Sequence, residues 1–550
     1  MQDNMENAET IEMSRLKGAE EASNDEKTRH EQDDEQQQTL TSPTVGLLYP
    51  SSIKYWLALT TLCLGVFLIT LDSTIVATAI PYITDEFNSL KDVGWYGSIY
   101  LITLCMSQLL FGKLASRYSI RWIYTGSMFV FLVGSALCGA APNSPALIVG
   151  RAIAGLGSSG LLIVAYSVIP TLSPPEKRAL SLGIISMSRS IAATAGPLIG
   201  GALTQKVSWR WTFYINLPLG AVIYVAFFLF ITPPATTATA FTSFRDLLQT
   251  LDLPGLITLM PAVVTLLLAL QWGGIDYPWS NGRIIALLVL SGVLAIAFVA
   301  IELWQGEKAV LPSRIFAQRS VSYASFYGFA TSGAIYVLTF YLPEWFQGVK
   351  GVSPLLSSVY TLPWLITSVI VLLGSGAVMS KFGHADVWML VGSVFGAVGS
   401  GLFTTFTPET STGKWIGYQI IFAIGSSLFS VTPLIIAQSR LALKDIPVGT
   451  SMVTFAQLLG SSIFVSVAQA VFANNLAGNL RQLGISGVDA SSVASTGLTD
   501  LTKGLTGDAK NAVLRAINNA LTNSWLLPIV LTSISVIGAL GVEHRSPKKG

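Results

Sequence analysis

Charge is the property that this sequence lacks most. Of its 550 residues only 11% are Asp, Glu, Lys or Arg, whereas 51% are hydrophobic. Soluble proteins carry about 25% charged residues, so this chain cannot cover a water-exposed surface, and a soluble enzyme is excluded. The deficit is uneven, because residues 1–55 hold 17 of the 62 charges and leave 45 for the other 495 residues. The composition predicts an integral membrane protein that begins with a hydrophilic, acidic segment.

Cysteine and histidine are also scarce, with three residues of each. Cys63, Cys105 and Cys138 lie in apolar segments without CxxC spacing, and the histidines lie in the tail or in cytoplasmic segments, so neither a disulfide framework nor a zinc site is expected. The sequence contains no G-x-x-x-x-G-K-[ST] phosphate loop, no nucleophile–base pair and no basic run that could follow nucleic-acid phosphates. We therefore expect that the protein is not an enzyme, has no cofactor, metal or ATP site, and binds no nucleic acid.

Fourteen apolar segments have the length, about 20 residues, that a helix needs to cross a hydrocarbon core. They are continuous and not alternating, which excludes a β-barrel. Ahead of them, residues 1–52 are rich in Glu, Asp, Gln and Ser, which predicts a disordered cytoplasmic tail. The predicted spans are about 56–80, 94–114, 121–141, 146–169, 180–203, 212–232, 253–271, 283–303, 321–345, 355–379, 386–406, 415–438, 450–472 and 524–542.

An even number of spans puts both chain ends on one side of the membrane. Lys and Arg number sixteen in the short loops and flanks of that side and six in the short loops of the other side. Because cytoplasmic loops are enriched in these residues, both termini are predicted to be cytoplasmic. The one long outer loop, at about 473–523, is polar and has a composition that allows an amphipathic helix. Tryptophans near the span ends, Trp209, Trp345, Trp415 and Trp525 among them, are typical of an interface belt.

The loop after span two resembles the loop after span ten. Residues 112–119 read GKLASRYS and residues 376–383 read GAVMSKFG, with a glycine, a small residue and a base at a constant offset of 264 residues. This repeat pairs spans 1–6 with spans 9–14 and leaves spans 7–8 as an insert, a layout known among transporters. We predict a first six-helix bundle at 53–232, a linker with the inserted helices at 233–319, a second six-helix bundle at 320–542 and a cytoplasmic C-terminus at 543–550.

Six segments of the chain carry a resemblance to a known family. They are LDSTIVATAIP (71–81), GKLASRYSIR (112–121), RAIAGLG (151–157), GPLIGG (196–201), WRWTFYINLP (209–218) and FYLPEWFQGVKGVSP (340–354). In this order and spacing the chain resembles the fourteen-span drug:proton antiporters of the major facilitator superfamily, above all fungal multidrug and toxin efflux pumps. The resemblance covers about 50–545 and implies an all-α membrane protein with the major facilitator fold, built of two six-helix bundles and a two-helix insert.

Two charged residues in the spans are candidates for proton coupling. A carboxylate within hydrocarbon is costly, so Asp72 in span one is a functional candidate by default. A rise of 1.5 Å per residue puts Asp72 in the outer half of the membrane, at a depth similar to that of Arg151 in span four. A pair that breaks when Asp72 takes a proton would couple proton entry to helix movement, and the resemblance implies the same roles. The alternative is a static salt bridge between spans one and four.

The segment Gly112–Arg121 resembles the gating loop of the family, in which an aspartate pairs with a base to hold one conformation. Here Ser116 stands at the aspartate position, while the base Arg117 is present. A serine can accept a hydrogen bond or cap a helix, but it cannot form an ionic latch. The alternative is an ordinary cytoplasmic turn.

The segment 196–201 resembles the motif that distinguishes exporters from importers in the family. Gly196, Gly200 and Gly201 are expected on one helix face, where they let a neighbouring helix approach closely. Pro197 is expected to free a backbone carbonyl and bend the helix. The resemblance implies efflux, and the alternative is helix packing without directional meaning.

Two further polar residues are candidates for the substrate cavity. Arg189 lies near the middle of span five, where an arginine needs a partner or a watery cavity. It could contact an acidic group of the substrate, pair with a carbonyl or with Asp72, or extend towards the cytoplasmic side. Gln457 in span thirteen occupies the position equivalent to Pro197 and is the second candidate.

The combined prediction is a secondary active transporter that exports amphipathic organic molecules, such as drugs, toxins or secondary metabolites, in exchange for protons. We expect a monomer in the lipid bilayer of the plasma membrane, with the vacuolar membrane as the alternative. Two other functions remain open at this point. One is a proton-coupled importer, for example of iron chelates, and the other is a membrane sensor that does not transport.

Overall fold

The computed structural model describes residues 49–87, 89, 92–231, 252–274, 277–382, 384–483 and 506–544. Within these ranges the regular structure is helical, apart from one isolated bridge between Gly273 and Tyr277. All described residues belong to one compact unit. Most of the predicted tail at 1–52, the linker from 233 to 251 and the last six residues of the predicted C-terminus lie outside the described residues.

Fifteen helices of at least fifteen residues occur in the described chain, and we label them α1 to α15. They are Ser52–Ile75 (α1), Val93–Arg117 (α2), Ile120–Gly139 (α3), Ser144–Ser167 (α4), Pro175–Lys206 (α5), Asn216–Phe230 (α6), Leu253–Trp272 (α7), Gly282–Gln305 (α8), Arg319–Gly348 (α9), Leu362–Phe382 (α10), Ala385–Phe403 (α11), Thr412–Arg440 (α12), Ile446–Gln482 (α13), Gly507–Ser524 (α14) and Leu526–Gly541 (α15). Short helical segments adjoin several of them, including Val76–Thr78 and Ile80–Phe87 after α1 and Trp211–Tyr214 before α6.

Helices α1 to α13 and α15 correspond to the fourteen predicted spans. Thirteen regions of the described chain are long and apolar enough to cross a membrane, and α14 and α15 form one of them. Helix α9 is not among the thirteen, although its 30 residues would reach about 45 Å. Its serines, threonines and glycines lower its mean hydropathy, and it packs against α12, α13 and α15. A multi-pass, all-helical membrane protein is therefore confirmed.

The long outer loop is more helical than predicted. Helix α13 continues to Gln482, and α14 occupies Gly507–Ser524. Along α14 the buried residues Val513, Ile517 and Leu521 recur every four positions, which gives this helix one apolar face. That face packs on α13 and on the end of α9. Residues 484–505 of the predicted loop lie outside the described residues.

The packing of the helices repeats between the two halves of the chain. Helix α1 packs on α5 and α6, and α9 packs on α13 and α15. Likewise, α3 packs on α4, and α11 packs on α12. The two groups meet through α2 with α13 and through α5 with α10, which are equivalent pairs in the repeat. This pattern is what a repeat of six helices would produce, while the exact domain limits stay a prediction.

The two groups of helices are closed against each other at one end of the molecule. We call this end, where α1 begins and α15 ends, the terminal side, and the opposite end the far side. Towards the terminal side, one hydrophobic core joins Leu161 and Ile185 of the first group to Leu372, Val431 and Val453 of the second. On the far side, the clusters of the described residues each draw on one group alone. The helix groups are therefore packed together at the terminal side and separate at the far side.

The predicted interface belt is wrong for four tryptophans. Trp209, Trp345, Trp415 and Trp525 are all buried, and Trp345 and Trp525 have no exposed surface. The indole of Trp345 donates to Asn518 Oδ1 over 2.8 Å, which joins α9 to α14. These tryptophans fill the core between helix ends, because the far-side helical segments cover them.

Candidate functional site

Asp72 and Arg151 form an ion pair in the first helix group. Arg151 Nη1 lies 2.6 Å from Asp72 Oδ2, and both side chains have 0% exposed surface. Asp72 lies near the end of α1, and Arg151 lies two turns into α4. The pair joins two helices that have few other contacts with each other. Its charges are removed from solvent, so the state of one partner must affect the other.

Other polar groups surround this ion pair. Asn216, the first residue of α6, donates through Nδ2 to Asp72 Oδ1 over 2.6 Å and to Ser135 Oγ over 3.1 Å. Arg151 Nε donates to the carbonyl oxygen of Tyr96 over 3.0 Å. The guanidinium carbon of Arg151 lies 4.3 Å from the ring centroid of Tyr100. Helices α1, α2, α3, α4 and α6 all contribute to the site.

Two buried polar atoms of the site have no hydrogen-bond partner among the described residues. They are Nη2 of Arg151 and Oδ1 of Asn216. A buried pair with a purely structural role is expected to satisfy its donors and acceptors, and an unsatisfied buried group calls for an explanation. Arg151 Nη2 can donate, and Asn216 Oδ1 can accept, one further hydrogen bond at this site.

Sequence reasoning did not identify Asn216 as a site residue. It was visible only as one polar residue in the WRWTFYINLP segment at the start of span six. The same segment contributes a clamp on the far side, where Trp209 Nε1 and Arg210 Nη2 each donate to the Glu86 carboxylate over 2.6 Å. These contacts, the Trp209 bond first, hold the pKa of Glu86 below its ordinary value. The clamp is thus complete at neutral pH and is lost only as the pH falls through that lowered pKa.

The glycines of the segment 196–201 bring α5 against the end of α1. A methyl group at Gly196 would lie 2.8 Å from Thr74 Cβ, and one at Gly200 would lie 2.6 Å from the carbonyl oxygen of Ile75. Both contacts fall within six residues of Asp72, where α1 gives way to a short 3-10 helix. The close approach of α5 therefore occurs beside the ion pair.

The prediction that the three glycines share one face is wrong for Gly201. A methyl group there would meet no other atom within 4 Å. Gly196 and Gly200 are four residues apart and face α1, whereas the next residue is turned by about 100°. Pro197 lies inside α5, as the sequence predicts.

Arg189 lies near the middle of α5 and is not paired with Asp72. Both oxygens of Asp72 are occupied by Arg151 and Asn216. Arg189 interacts electrostatically with the hydroxyl groups of Tyr166 in α4 and Tyr336 in α9. Arg189 is half-buried and sits between the two helix groups.

Gln457 lies between helices of the second group. Its Cγ would be 2.9 Å from a methyl group at Gly328, so its side chain packs against α9. The residue is 9% exposed. A role in a substrate cavity stays a prediction.

The segment predicted as a loop after span two is helical as far as Arg117. Gly112, Ser116 and Arg117 belong to the last turns of α2, and the chain turns only at Tyr118. Ser116 is exposed, and its hydroxyl donates to the carbonyl oxygen of Lys113 over 2.8 Å. It therefore neither caps a helix N-terminus nor forms an ionic latch. Between Gly112 and Tyr118 the sequence has no proline or glycine that would end the helix earlier.

Glycine contacts close the terminal side at both equivalent positions of the repeat. A methyl group at Gly112 would overlap the Ser451 side chain and lie 3.1 Å from the Pro447 carbonyl oxygen, at the start of α13. The repeat-related Gly376 of α10 lies as closely against α5, where a methyl group would be 2.9 Å from Leu180 Cα. The offset of 264 residues noted in the sequence thus relates two equivalent helix contacts.

Comparisons with known proteins agree with this architecture. Residues 62–465 match the Major Facilitator Superfamily. The chain belongs to that superfamily. Among solved structures, it is similar to the proton:xylose symporter XylE, with a TM-score of 0.58, 12% sequence identity, and coverage of 88% of this chain and 96% of that one. The human organic anion transporter MFSD10 gives a TM-score of 0.56 at 14% identity, covering 87% and 99%. At these identities the likeness concerns the fold alone.

Relatives of higher identity are fungal efflux pumps. The MFS-type efflux pump MFS1 of Arthroderma benhamiae is 43% identical over 503 residues, which are 90% of this chain and 93% of the relative. The efflux pump roqT of Penicillium rubens is 44% identical, covering 89% and 90%. The efflux pump aflT of Aspergillus parasiticus is 40% identical, covering 91% and 97%. This major facilitator protein is therefore a membrane transporter of the efflux type and not an enzyme.

The inserted helices of this transporter carry an acidic cluster that the sequence did not reveal. Asp252, at the start of α7, and Glu302, near the end of α8, are buried with their carboxyl groups side by side around Gly255. Asp252 accepts from the Val310 amide over 3.1 Å, and Glu302 accepts from the Leu311 amide over 2.8 Å. The ammonium group of Lys113 donates to the carbonyl oxygens of residues 308 and 309 beside them. The cluster therefore fastens the insert to the terminal end of α2.

Replacing Gly200 with alanine is expected to lower export at least tenfold, whereas Gly201→Ala retains wild-type export. The added methyl group at Gly200 would strike the Ile75 carbonyl and force α5 away from α1. At Gly201 the methyl group enters open space, where alanine favours a helix by up to about 1 kcal/mol. Export by cells expressing each variant at matched levels measures the difference. Equal activity of the two variants would contradict the assigned α1–α5 contact.

Proposed function

We propose that this transporter exports amphipathic organic molecules from the cytoplasm in exchange for protons. The observation that carries the proposal is the buried ion pair between Asp72 and Arg151, together with the close α1–α5 contact beside it. A buried carboxylate is retained against its desolvation cost when it has a function, and its protonation is the change most able to release a buried arginine. Because α5 packs closely against α1 at these glycines, a movement of α1 would also displace α5.

The proposed cycle begins from the arrangement described above, with the terminal side closed. In the predicted orientation this is the outward-facing state, in which a proton from outside would reach Asp72. Neutral Asp72 would bind Arg151 less strongly, and the α1–α4 connection would loosen. The bundles would then rock so that the terminal side opens and substrate enters from the cytoplasm. Release of the proton inside would restore the ion pair and the outward-facing state.

Driving force, cellular location and oligomeric state belong to the same proposal. We infer that the proton gradient supplies the energy, since the sequence contains no ATP-binding motif. The plasma membrane is proposed as the location, with both termini in the cytoplasm, because Lys and Arg concentrate on that side. We propose that one chain suffices for transport.

Reconstitution of the full chain in liposomes tests the proposal directly. With radiolabelled cycloheximide outside and an acidic interior, an antiporter is expected to accumulate the drug inside as protons leave. This drug is uncharged, so the membrane potential alone does not move it. Abolition of accumulation by a protonophore would support coupling. Accumulation driven by an acidic exterior, and not by an acidic interior, would indicate an importer. Accumulation that does not depend on the pH gradient would contradict proton coupling.

A further inference from the structure

Arg189 is a half-buried charge without an acidic partner among the described residues. Among the described residues, no Asp or Glu oxygen lies within 4.0 Å of its guanidinium nitrogens. It lies fourteen residues into α5, about 21 Å from the terminal-side end, and so near mid-membrane. An arginine at such depth faces a water-filled space or another acceptor. An anion of a bound molecule would compensate such a charge.

The surroundings of Arg189 include both helix groups. Tyr166 belongs to α4 and Tyr336 to α9, so the cluster spans the boundary across which the bundles separate on the far side. Arg189 and Tyr336 are both half-buried, and a molecule in the space between the bundles can reach them. The Tyr166 backbone is fixed in turn, because its carbonyl oxygen accepts from Gln438 Nε2 over 3.0 Å. This hydrogen bond from α12 holds the Tyr166 end of α4 in place beside Arg189.

We propose that Arg189 and Tyr336, with the buried Tyr166 beside the guanidinium group, bind an acidic group, such as a carboxylate or enolate, on an exported aromatic molecule. The guanidinium group offers five N–H donors in a planar fork that matches a carboxylate. The half-buried phenol group of Tyr336 can donate a further hydrogen bond to the anion. No residue of the described chain competes as an anion. This inference rests on the proposed export function and adds the substrate class to it.

The next turns of α9 indicate which shape and charge of substrate the site favours. Phe340 follows Tyr336 by four residues, lies on the same helix face and is 49% exposed. Glu344 follows four residues later on that face, about 12 Å from Tyr336. An aromatic body can thus lie along Phe340, whereas a second acidic group near Glu344 would be repelled. The site favours a planar molecule with one acidic end.

Binding of two matched ligands tests the inference. Anthraquinone-2-carboxylate and anthraquinone-2-carboxamide have the same ring system and differ in charge. Their affinities for the full chain in nanodiscs can be measured from quenching of tryptophan fluorescence, without a pH gradient. We expect wild-type protein to bind the carboxylate at least tenfold more tightly than the carboxamide. Arg189→Gln should remove this difference, Arg189→Lys should keep part of it, and Tyr336→Phe should reduce it about threefold.

The chain provides a matched control for the arginine substitution. Arg283 also contacts a tyrosine hydroxyl, with Nη1 2.8 Å from Tyr277 Oη, but it lies on the insert at the far side. Arg283→Gln should leave the preference for the carboxylate unchanged. Equal binding of both ligands by wild type, binding of neither, or an equal loss of both in Arg189→Gln would overturn the inference. The binding experiment needs no proton gradient. Its outcome therefore does not depend on whether the cycloheximide assay shows proton coupling, and the two proposals can fail independently.

Discussion

Replacing Asp72 with asparagine is expected to abolish gradient-driven transport of cycloheximide while the protein remains folded. The amide cannot be protonated or deprotonated, so it removes the change of charge that would release Arg151. Its oxygen can still accept from Arg151 Nη1. Asn216 can turn its unpaired Oδ1 towards the new amide group, which preserves the hydrogen bond between these residues. The measurements are accumulation in acidic liposomes and thermal unfolding.

Stability and coupling must be separated in this experiment. Removing one partner of a buried ion pair costs roughly 3–5 kcal/mol when the other charge is left without compensation. Asp72→Asn is expected to lower the melting temperature for this reason, but less than Asp72→Ala. Glu86→Gln is the control, because Glu86 pairs with Arg210 at the same 2.6 Å distance on an exposed part of the far side. Full gradient-driven transport by Asp72→Asn at equal protein amount would refute the coupling role.

Replacing Gly112 with valine is expected to trap the transporter with its terminal side open. The valine side chain would collide with Ser451 and with the backbone at Pro447, so α2 and α13 could not pack as they do here. Transport should fall at least tenfold, because one of the two alternating states is lost. Gly126→Val is the control, since Gly126 is exposed, also lies inside a helix, and a Cβ added there meets nothing within 4 Å.

The trapped state has a direct structural readout. Spin labels on the exposed residues Ser116 and Lys444, in a variant without native cysteines, report the distance between the terminal ends of the two bundles. Electron–electron resonance should give a longer mean distance for Gly112→Val than for the control. An unchanged distance with full activity would show that the glycine contact is not required for closure.

The helices and the ion pair could be predicted from sequence because each depends on local composition. Continuous apolar runs give the spans their positions to within a few residues, and the boundaries differ where helices extend beyond the bilayer, as α13 does. Asp72 and Arg151 stood out because charge is so rare inside the spans. Their matching depths followed from counting residues along two helices.

Contacts between distant segments could not be predicted in this way. The Lys113 side chain meets carbonyl groups 195 and 196 residues away, and no periodicity within one helix indicates such a meeting. Asn216 resembled a helix-start residue, and only the packing of α6 beside α1 makes it a partner of Asp72. Trp345 was expected at the interface because it lies near a span end, but α14 covers it. In each case a tertiary neighbour determines the environment of the residue.

The inserted helices α7 and α8 pack differently against the two lateral boundaries between the helix groups. Helix α7 contacts both α2 and α13, and so it spans the boundary between the bundles on one flank. Within the described residues it makes no comparable contact with α5 or α10, which form the opposite boundary. A hydrophobic molecule that reached these boundaries from the bilayer would meet α7 on the first flank, whereas the described part of the insert does not cover the second. If substrate enters laterally from the membrane, the insert would make the two directions that the two-fold repeat permits unequal.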